Sequence, residues 1–161
     1  MTLMERVDAP EDRLAQLGIE LPDLAPVPIG AFCNVRRSGH LVFVSGQGPV
    51  TSDGRLLTGK VGADVTSEAA REHAKLVAIN ILAALRDNLG DLNGVAGVIK
   101  LLGLVNATSD FANHPYVIDG ASNLFAEVFG KDGVHARSSF GVSSLPNQIT
   151  VEIEAIFEVP Q

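Results

Sequence analysis

The stretch RSSFGVSSLPNQITVEIEAIFEV, residues 137–159, holds the strongest local signal for the fold of this chain. From Ile149 onward apolar and polar residues alternate, as expected for an antiparallel strand with one buried face. The apolar face would carry Ile149, Val151, Ile153, Ala155, Phe157 and Val159, and the polar face Thr150, Glu152, Glu154 and Glu158. A second apolar segment begins at Arg137, and residues 145–148 have the composition of a turn. The sequence therefore predicts a C-terminal hairpin with a guanidinium at one end and a carboxylate on its return strand.

Two long helices are predicted upstream of this hairpin. Thr66 is a suitable N-cap and Gly90 a suitable terminator for the first helix. Between them, apolar residues recur at helical spacing: Ala70, Ala74, Val77, Ile81 and Leu85. The second helix should run from near Pro115 to Gly130.

Three further strands complete the pattern. Two of them flank the turn at Ser38 and Gly39 and should form a hairpin, and the third covers residues 95–107. The resulting order, β-β-α-β-α-β-β, predicts an α+β fold in which both long helices pack on one face of a single, mostly antiparallel sheet.

The chain divides into a short arm and one domain. Residues 1–28 are acidic and contain several prolines, with a possible short helix at 12–17 that Gly18 ends and an extended segment at 21–28. Residues 29–161 should form the domain that contains the sheet. At 161 residues in all, one domain is expected.

Composition restricts the classes of function. A net charge of −7 argues against a protein that binds nucleic acid through its phosphates, since such binding depends on Lys and Arg. Hydrophobic residues make up 46% and charged residues 19%, so part of the apolar surface is expected to serve contacts between subunits. One cysteine, Cys33, no signal-peptide pattern and no long apolar run predict a soluble cytoplasmic protein without a membrane segment.

No metal site or cofactor is predicted. The four histidines, His40, His73, His114 and His135, lack the spacing of metal ligands, so each is interpreted as a surface or packing residue. The chain also lacks the Gly-x-Ser-x-Gly motif of serine hydrolases.

Two motifs together resemble a known family. The pattern Arg-Ser-x-x-x-Val-x-x-Leu-Pro-x-x-x-x-Val-Glu-Ile-Glu-Ala-Ile, residues 137–156, is similar to the C-terminal signature of the reactive intermediate deaminase A proteins, also called RidA or YjgF-like and formerly endoribonuclease L-PSP. The segment LVFVSGQ, residues 41–47, resembles the family's strand ending in Ser-Gly-Gln. The resemblance covers roughly residues 29–157. It implies the two-layer chorismate-mutase-like fold and a homotrimer with sites in the clefts between subunits.

The resemblance assigns catalytic roles to two residues. Arg137 matches the arginine that binds the substrate carboxylate, and Glu152 matches the acid that handles a water or a proton during hydrolysis. From sequence pattern alone, Arg137 could equally form a solvated ion pair at a strand end or bind a carboxylate through its planar fork. In the predicted hairpin, Arg137 would pair near Ile156 and Glu152 with Gly141. The two groups would then lie more than ~10 Å apart, and they could meet only if different subunits supplied them.

Other positions are assigned to substrate binding. Ser45 and Gly46 match the Ser-Gly pair that lines the family's pocket, and Phe32 stands where the family usually has tyrosine. Ser139 takes the place of a cysteine found in many members. The pocket asparagine maps to Ser122 or Asn123, and we select Asn123, although the loop at 113–119 differs in length from the family pattern.

The function implied by the resemblance is hydrolytic deamination of reactive enamine or imine acids to keto acids and ammonia, without a cofactor. A second hypothesis is a non-catalytic trimer that binds small carboxylates, for which Arg137 would be needed and Glu152 would not. The third is an endoribonuclease, which the net charge of −7 and the single tyrosine make less favourable because a single-strand groove needs basic and aromatic residues.

Overall fold

A computed structural model describes residues 8–161, and in this range the chain forms three α-helices and five strands. The helices are α1 (Pro10–Gln16), α2 (Ser67–Leu89) and α3 (His114–Phe129). The strands are β1 (Val35–Ser38), β2 (Leu41–Gln47), β3 (Gly97–Asn106), β4 (Ala136–Val142) and β5 (Val151–Glu158). Short 3-10 turns cover Gly130–Gly133 and Pro146–Gln148. The order of strands and long helices confirms the α+β prediction.

The sheet has the order β1-β2-β5-β3-β4. This order differs from the prediction in the pairing of the two C-terminal strands, β4 and β5. Pairing is antiparallel for β1 with β2, β2 with β5 and β3 with β5, and parallel for β3 with β4. The predicted hairpin between the last two strands is therefore wrong, because β3 lies between them. Since α3 links β3 to β4, the three elements form a β-α-β crossover, which is the usual connection between parallel neighbours.

This topology also corrects the predicted register of the two candidate catalytic residues. Arg137 lies opposite Leu101 of β3 rather than Ile156. Glu152 lies opposite Leu104 of β3 rather than Gly141.

The long helices pack on one face of the sheet and enclose the core. Thr66 caps α2 by accepting a hydrogen bond from the Ala69 amide at 3.1 Å, and Gly90 ends the helix with a φ of 92°. The odd-numbered residues of β5 are buried beneath the helices, as the alternation predicted. Thr150 is an exception to the predicted faces: it is fully buried, and its hydroxyl lies 2.7 Å from Nδ1 of His73 on α2.

The opposite face of the sheet carries apolar side chains that are accessible to solvent. Phe43 on β2 and Phe140 on β4 are 40% and 47% exposed. Leu102, Leu104 and Ile156 lie half-buried between them. We call these five residues the outer apolar face.

The described part of the predicted arm packs against α3 and the segment after α2. Leu14 of α1 is buried in the main core. Glu11 accepts a hydrogen bond from the Leu92 amide at 3.1 Å, and Arg13 donates to the Val128 carbonyl at 3.4 Å. Part of the predicted arm, residues 1–7, lies outside the described residues. Across residues 8–161, the helices are too short or too polar to cross a membrane.

Candidate functional site

Arg137 lies on the edge strand β4 and points toward the helix layer. Its register partner Leu101 is a core residue, so both side chains are on the helix side of the sheet. The Nη1 group donates to Oδ1 of Asp119 at 2.7 Å and to Oγ of Ser122 at 3.0 Å, and Nη2 donates to the Pro115 carbonyl at 3.4 Å. Asp119 and Ser122 are three residues apart on α3, so they share one face of the helix.

His135 extends this cluster. Its Nδ1 lies 2.7 Å from the Gly133 carbonyl, which can only accept, so Nδ1 carries the proton. Its Nε2 lies 2.9 Å from the Ser122 hydroxyl. Burial lowers the pKa of His135, and the nearby charge of Arg137 lowers it further, although the Gly133 carbonyl acts in the opposite direction. In the neutral imidazole Nε2 is an acceptor, so Ser122 donates to His135 while it accepts from Arg137.

These four residues, Arg137, Asp119, Ser122 and His135, form what we call the arginine cluster. Of these four residues, the sequence assigned a site role to Arg137, left Ser122 as the alternative to Asn123, and indicated a surface or packing role for His135. The available signal was the position of His135 two residues before Arg137 and of Asp119 three residues before Ser122. Neither spacing indicates a contact unless the packing of β4 against α3 is known.

Glu152 lies on β5 beside a bulge in β2. Val44 pairs with Ala155 and Gln47 with Ile153, so Ser45 and Gly46 together face a single residue of β5. A Cβ at position 46 would come within 3.0 Å of the Glu152 carboxyl carbon and Oε2. The absence of a side chain at Gly46 therefore lets the carboxyl group lie against the backbone of β2.

The Glu152 carboxyl opens into a cavity of about 510 Å³ that we call the glutamate pocket. Its walls are mainly apolar and include Val27, Ile29, Phe32, Leu56 and Ile149, together with Gly46 and Gln47. Burial raises the pKa of Glu152, and the neighbouring charge of Glu154 raises it further. A carboxyl with a raised pKa in such a pocket is suited to both accept and donate a proton.

Three of the five residues predicted to bind substrate lie at or beside the glutamate pocket. Phe32 and Gly46 line it, and Ser45 is adjacent, where its hydroxyl donates to the Cys33 carbonyl at 2.7 Å. The two remaining residues lie elsewhere. Ser139 is on β4 two residues beyond Arg137, and Asn123 is exposed on α3. The residue that α3 directs at Arg137 is Ser122.

The arginine cluster and the glutamate pocket do not meet within one chain. Arg137 and Glu152 are on strands separated by β3, and they point to opposite faces of the sheet. Their partners Leu101 and Leu104 on β3 are three residues apart, which adds roughly 10 Å along the strands to roughly 10 Å across them. A small substrate cannot bridge that separation.

Metal-binding side chains are not gathered into a site: in residues 8–161, no group of three His, Cys, Asp or Glu is close enough to share an ion.

The raised pKa of Glu152 predicts a pH-dependent effect on stability. A carboxyl whose folded pKa exceeds its ordinary 4.5 stabilises the fold fully below pH 4.5, and this contribution is lost as pH rises through the folded pKa. Glu152→Gln removes the buried charge, so it should raise the free energy of unfolding above the wild-type value at pH 7. The gain should shrink toward pH 4.5.

Urea unfolding from pH 4 to pH 8, at fixed protein concentration, measures this difference. Glu127→Gln is the matched control, because it removes one negative charge from an exposed position on α3. A Glu152→Gln variant that is less stable than wild type at pH 7 would contradict the burial of a charged carboxylate.

The chain aligns with known proteins over most of its length. Residues 11–155 match the family described as "YjgF/chorismate mutase-like, putative endoribonuclease". The Trypanosoma cruzi protein TCP17 is 37% identical over 147 residues, covering 91% of each chain. The Escherichia coli protein named "Putative reactive intermediate deaminase TdcF" is 30% identical over 134 residues, covering 82% of this chain and 89% of the relative.

A solved structure agrees with these matches. The crystal structure of a protein of unknown function from Agrobacterium tumefaciens has a TM-score of 0.84 and 43% identity, covering 94% of this chain and 92% of that one. The resemblance inferred from residues 41–47 and 137–156 is thereby confirmed. By this match over nearly its whole length, the chain belongs to the YjgF/chorismate mutase-like family.

Proposed function

We propose that this protein hydrolyses enamine or imine acids to keto acids and ammonia. The observation that carries the proposal is the setting of Glu152, a carboxyl of raised pKa held against Gly46 in a largely apolar pocket. The Escherichia coli relative named as a reactive intermediate deaminase supports the same chemistry. An imine is already electrophilic, so the reaction needs water, a proton carrier and a means of holding the substrate.

Each residue has a defined step in this reaction. Arg137 holds the substrate carboxylate through its planar fork. Glu152, as the carboxylate, takes a proton from water while the oxygen attacks the imine carbon, and the C=N bond becomes a C–N bond. The imine nitrogen carries its own proton when water attacks, so the intermediate is an aminoalcohol. The protonated Glu152 then returns its proton to that nitrogen, which becomes an ammonium group, and the C–N bond breaks with its electron pair leaving on ammonia. The hydroxyl of the intermediate passes its proton to the Glu152 carboxylate and becomes the keto oxygen, and Glu152 gives that proton to the departing ammonia. An enamine enters the same route after protonation at carbon.

The reaction requires two subunits in this proposal. Arg137 and Glu152 lie too far apart in one chain, so one subunit supplies the arginine and a neighbour supplies the glutamate. The outer apolar face, with Phe43 and Phe140 exposed, supplies surface for self-association. Following the family resemblance, we propose a homotrimer with one site in each of its three equivalent clefts.

Mixed oligomers test the function and the shared site together. Arg137→Ala and Glu152→Gln should each be inactive, but a 1:1 co-expressed mixture should regain activity. Three-quarters of randomly assembled trimers are mixed, and each holds one intact site of three, so about a quarter of wild-type activity is expected. The assay follows keto-acid formation from an imine generated in situ, and sedimentation gives the mass of the oligomer.

Three other outcomes of this experiment would contradict the proposal. A mixture as inactive as its components would place both residues in the same chain's site or in no site. A monomer at micromolar concentration would rule out the shared cleft. Wild-type protein that does not exceed the rate in buffer would rule out the deaminase function.

A further inference from the structure

The charge of Arg137 is already balanced by a carboxylate of its own chain. Oδ1 of Asp119 lies 2.7 Å from Nη1, a distance typical of a charge-assisted hydrogen bond. The Arg137 side chain is 19% exposed and that of Asp119 43% exposed, so the pair lies at the surface where a ligand would arrive.

The surrounding contacts hold this pair in place. Both hydrogens of Nη1 are engaged, one by Asp119 and one by Ser122, and Nη2 donates to the Pro115 carbonyl. All three partners belong to α3, so the guanidinium is fixed by one rigid element. Ser122 is itself oriented by His135.

A small carboxylate that approaches Arg137 therefore meets a competitor. It has to displace Asp119 from Nη1 or bind beside it, where two negative charges repel each other. Either route lowers the affinity of Arg137 for a small carboxylate. The substrate and the keto-acid product of the proposed reaction both carry such a carboxylate, so the same contact would weaken the binding of each.

We infer that Asp119 competes with small carboxylates for Arg137 and thereby sets the affinity of the arginine cluster for them. The inference rests on the proposed function in one respect, namely that Arg137 is the carboxylate-binding group. It assigns Asp119 a role in setting affinity and none in the proton transfers.

Removal of the competitor should tighten binding. Asp119→Asn keeps the shape of the side chain without its charge, and Asp119→Ala removes the hydrogen-bond acceptor as well. For a partly exposed ion pair the expected gain in affinity for 2-oxobutanoate is roughly threefold to tenfold in either variant, measured by calorimetry. Glu127→Gln, an exposed acid on the same helix, removes the same charge and should leave the affinity unchanged.

A second measurement does not depend on any substrate. Phenylglyoxal modifies accessible guanidinium groups, and peptide mass spectrometry reports the rate at Arg137. That rate should rise severalfold in Asp119→Asn and Asp119→Ala and stay at the wild-type value in Glu127→Gln.

The outcomes separate this inference from the proposed function. If wild type binds 2-oxobutanoate and both Asp119 variants bind it equally or more weakly, Asp119 positions Arg137 rather than competing for it, and the inference fails while the proposed function stands. If no variant binds the keto acid although Arg137 becomes more reactive, the proposed function fails and the inferred role falls with it.

Discussion

Ammonia release by the Glu152→Gln variant should fall by a factor of about 10² to 10⁴, the usual contribution of a positioned general acid or base. Its affinity for 2-oxobutanoate should stay within about threefold of wild type, because glutamine fills the same space beside Gly46 and Arg137 is untouched. Loss of rate without loss of binding is the signature of a group that acts on the proton transfers.

Arg137 variants should show the complementary pattern. Arg137→Ala is expected to lose both binding and ammonia release, and Arg137→Lys should restore little of either, because a point charge cannot form two parallel hydrogen bonds to a carboxylate. Lysine would also meet Asp119 and pair with it. Calorimetry with the keto acid and the imine assay, run on the same preparations, measure the two effects separately.

The opposite result would favour the non-catalytic hypothesis. If wild-type protein binds the keto acid, several imines hydrolyse no faster than in buffer, and Glu152→Gln changes neither quantity, then the protein is a carboxylate-binding module. Arg137 would keep its role in that case, while the raised pKa of Glu152 would be a consequence of its burial and of the nearby Glu154 charge, without a catalytic use.

Local signals were sufficient to predict the elements of the fold. Thr66 and Gly90 mark the ends of α2 because capping depends on a few neighbouring residues. The alternation along β5 gives its buried face because side chains of a strand alternate. Both features depend only on residues that are close together in the sequence of one element.

Strand pairing was not predictable in the same way. The residues around Pro146 show that the chain turns, but they do not determine which strand pairs with the next one. β4 pairs with β3 because α3 returns the chain to that edge of the sheet, and β5 then enters between β2 and β3. That choice depends on how the whole helix layer packs.

In the candidate site, too, local motifs predicted some residues, whereas others depend on tertiary packing. The motifs at 41–47 and 137–156 predicted that Gly46, Glu152 and Arg137 are functional residues, and the structure gives two of them a common pocket. The choice of Asn123 over Ser122 depended on the phase of α3, where one residue step turns the side chain by about 100°. Asp119 contacts Arg137 and His135 contacts Ser122, in each case between different elements of the fold, so no local sequence pattern identified them.

The close contact between α2 and α3 yields a prediction about stability. Gly120 of α3 faces α2, where a Cβ would lie 2.1 Å from the Arg71 carbonyl oxygen and 3.0 Å from its carbon. These are backbone atoms, so the clash can be relieved only if one helix moves. Helix propensity alone would favour alanine at position 120 by about 1 kcal/mol, but a forced separation of packed helices should cost about 1–3 kcal/mol or more.

Gly120→Ala should therefore destabilise the protein, against the sign that helix propensity gives, and chemical denaturation measures the change. Gly94→Ala is the control, because within residues 8–161 a Cβ at position 94 would have no atom within 4 Å apart from those of Gly94 and its chain neighbours, and its effect should stay within about 0.5 kcal/mol. Movement of α3 would also carry Asp119 and Ser122 away from Arg137, so phenylglyoxal modification of Arg137 should accelerate in Gly120→Ala and not in Gly94→Ala. A Gly120→Ala variant that is more stable than wild type would show that the two helices are not in close contact at this position.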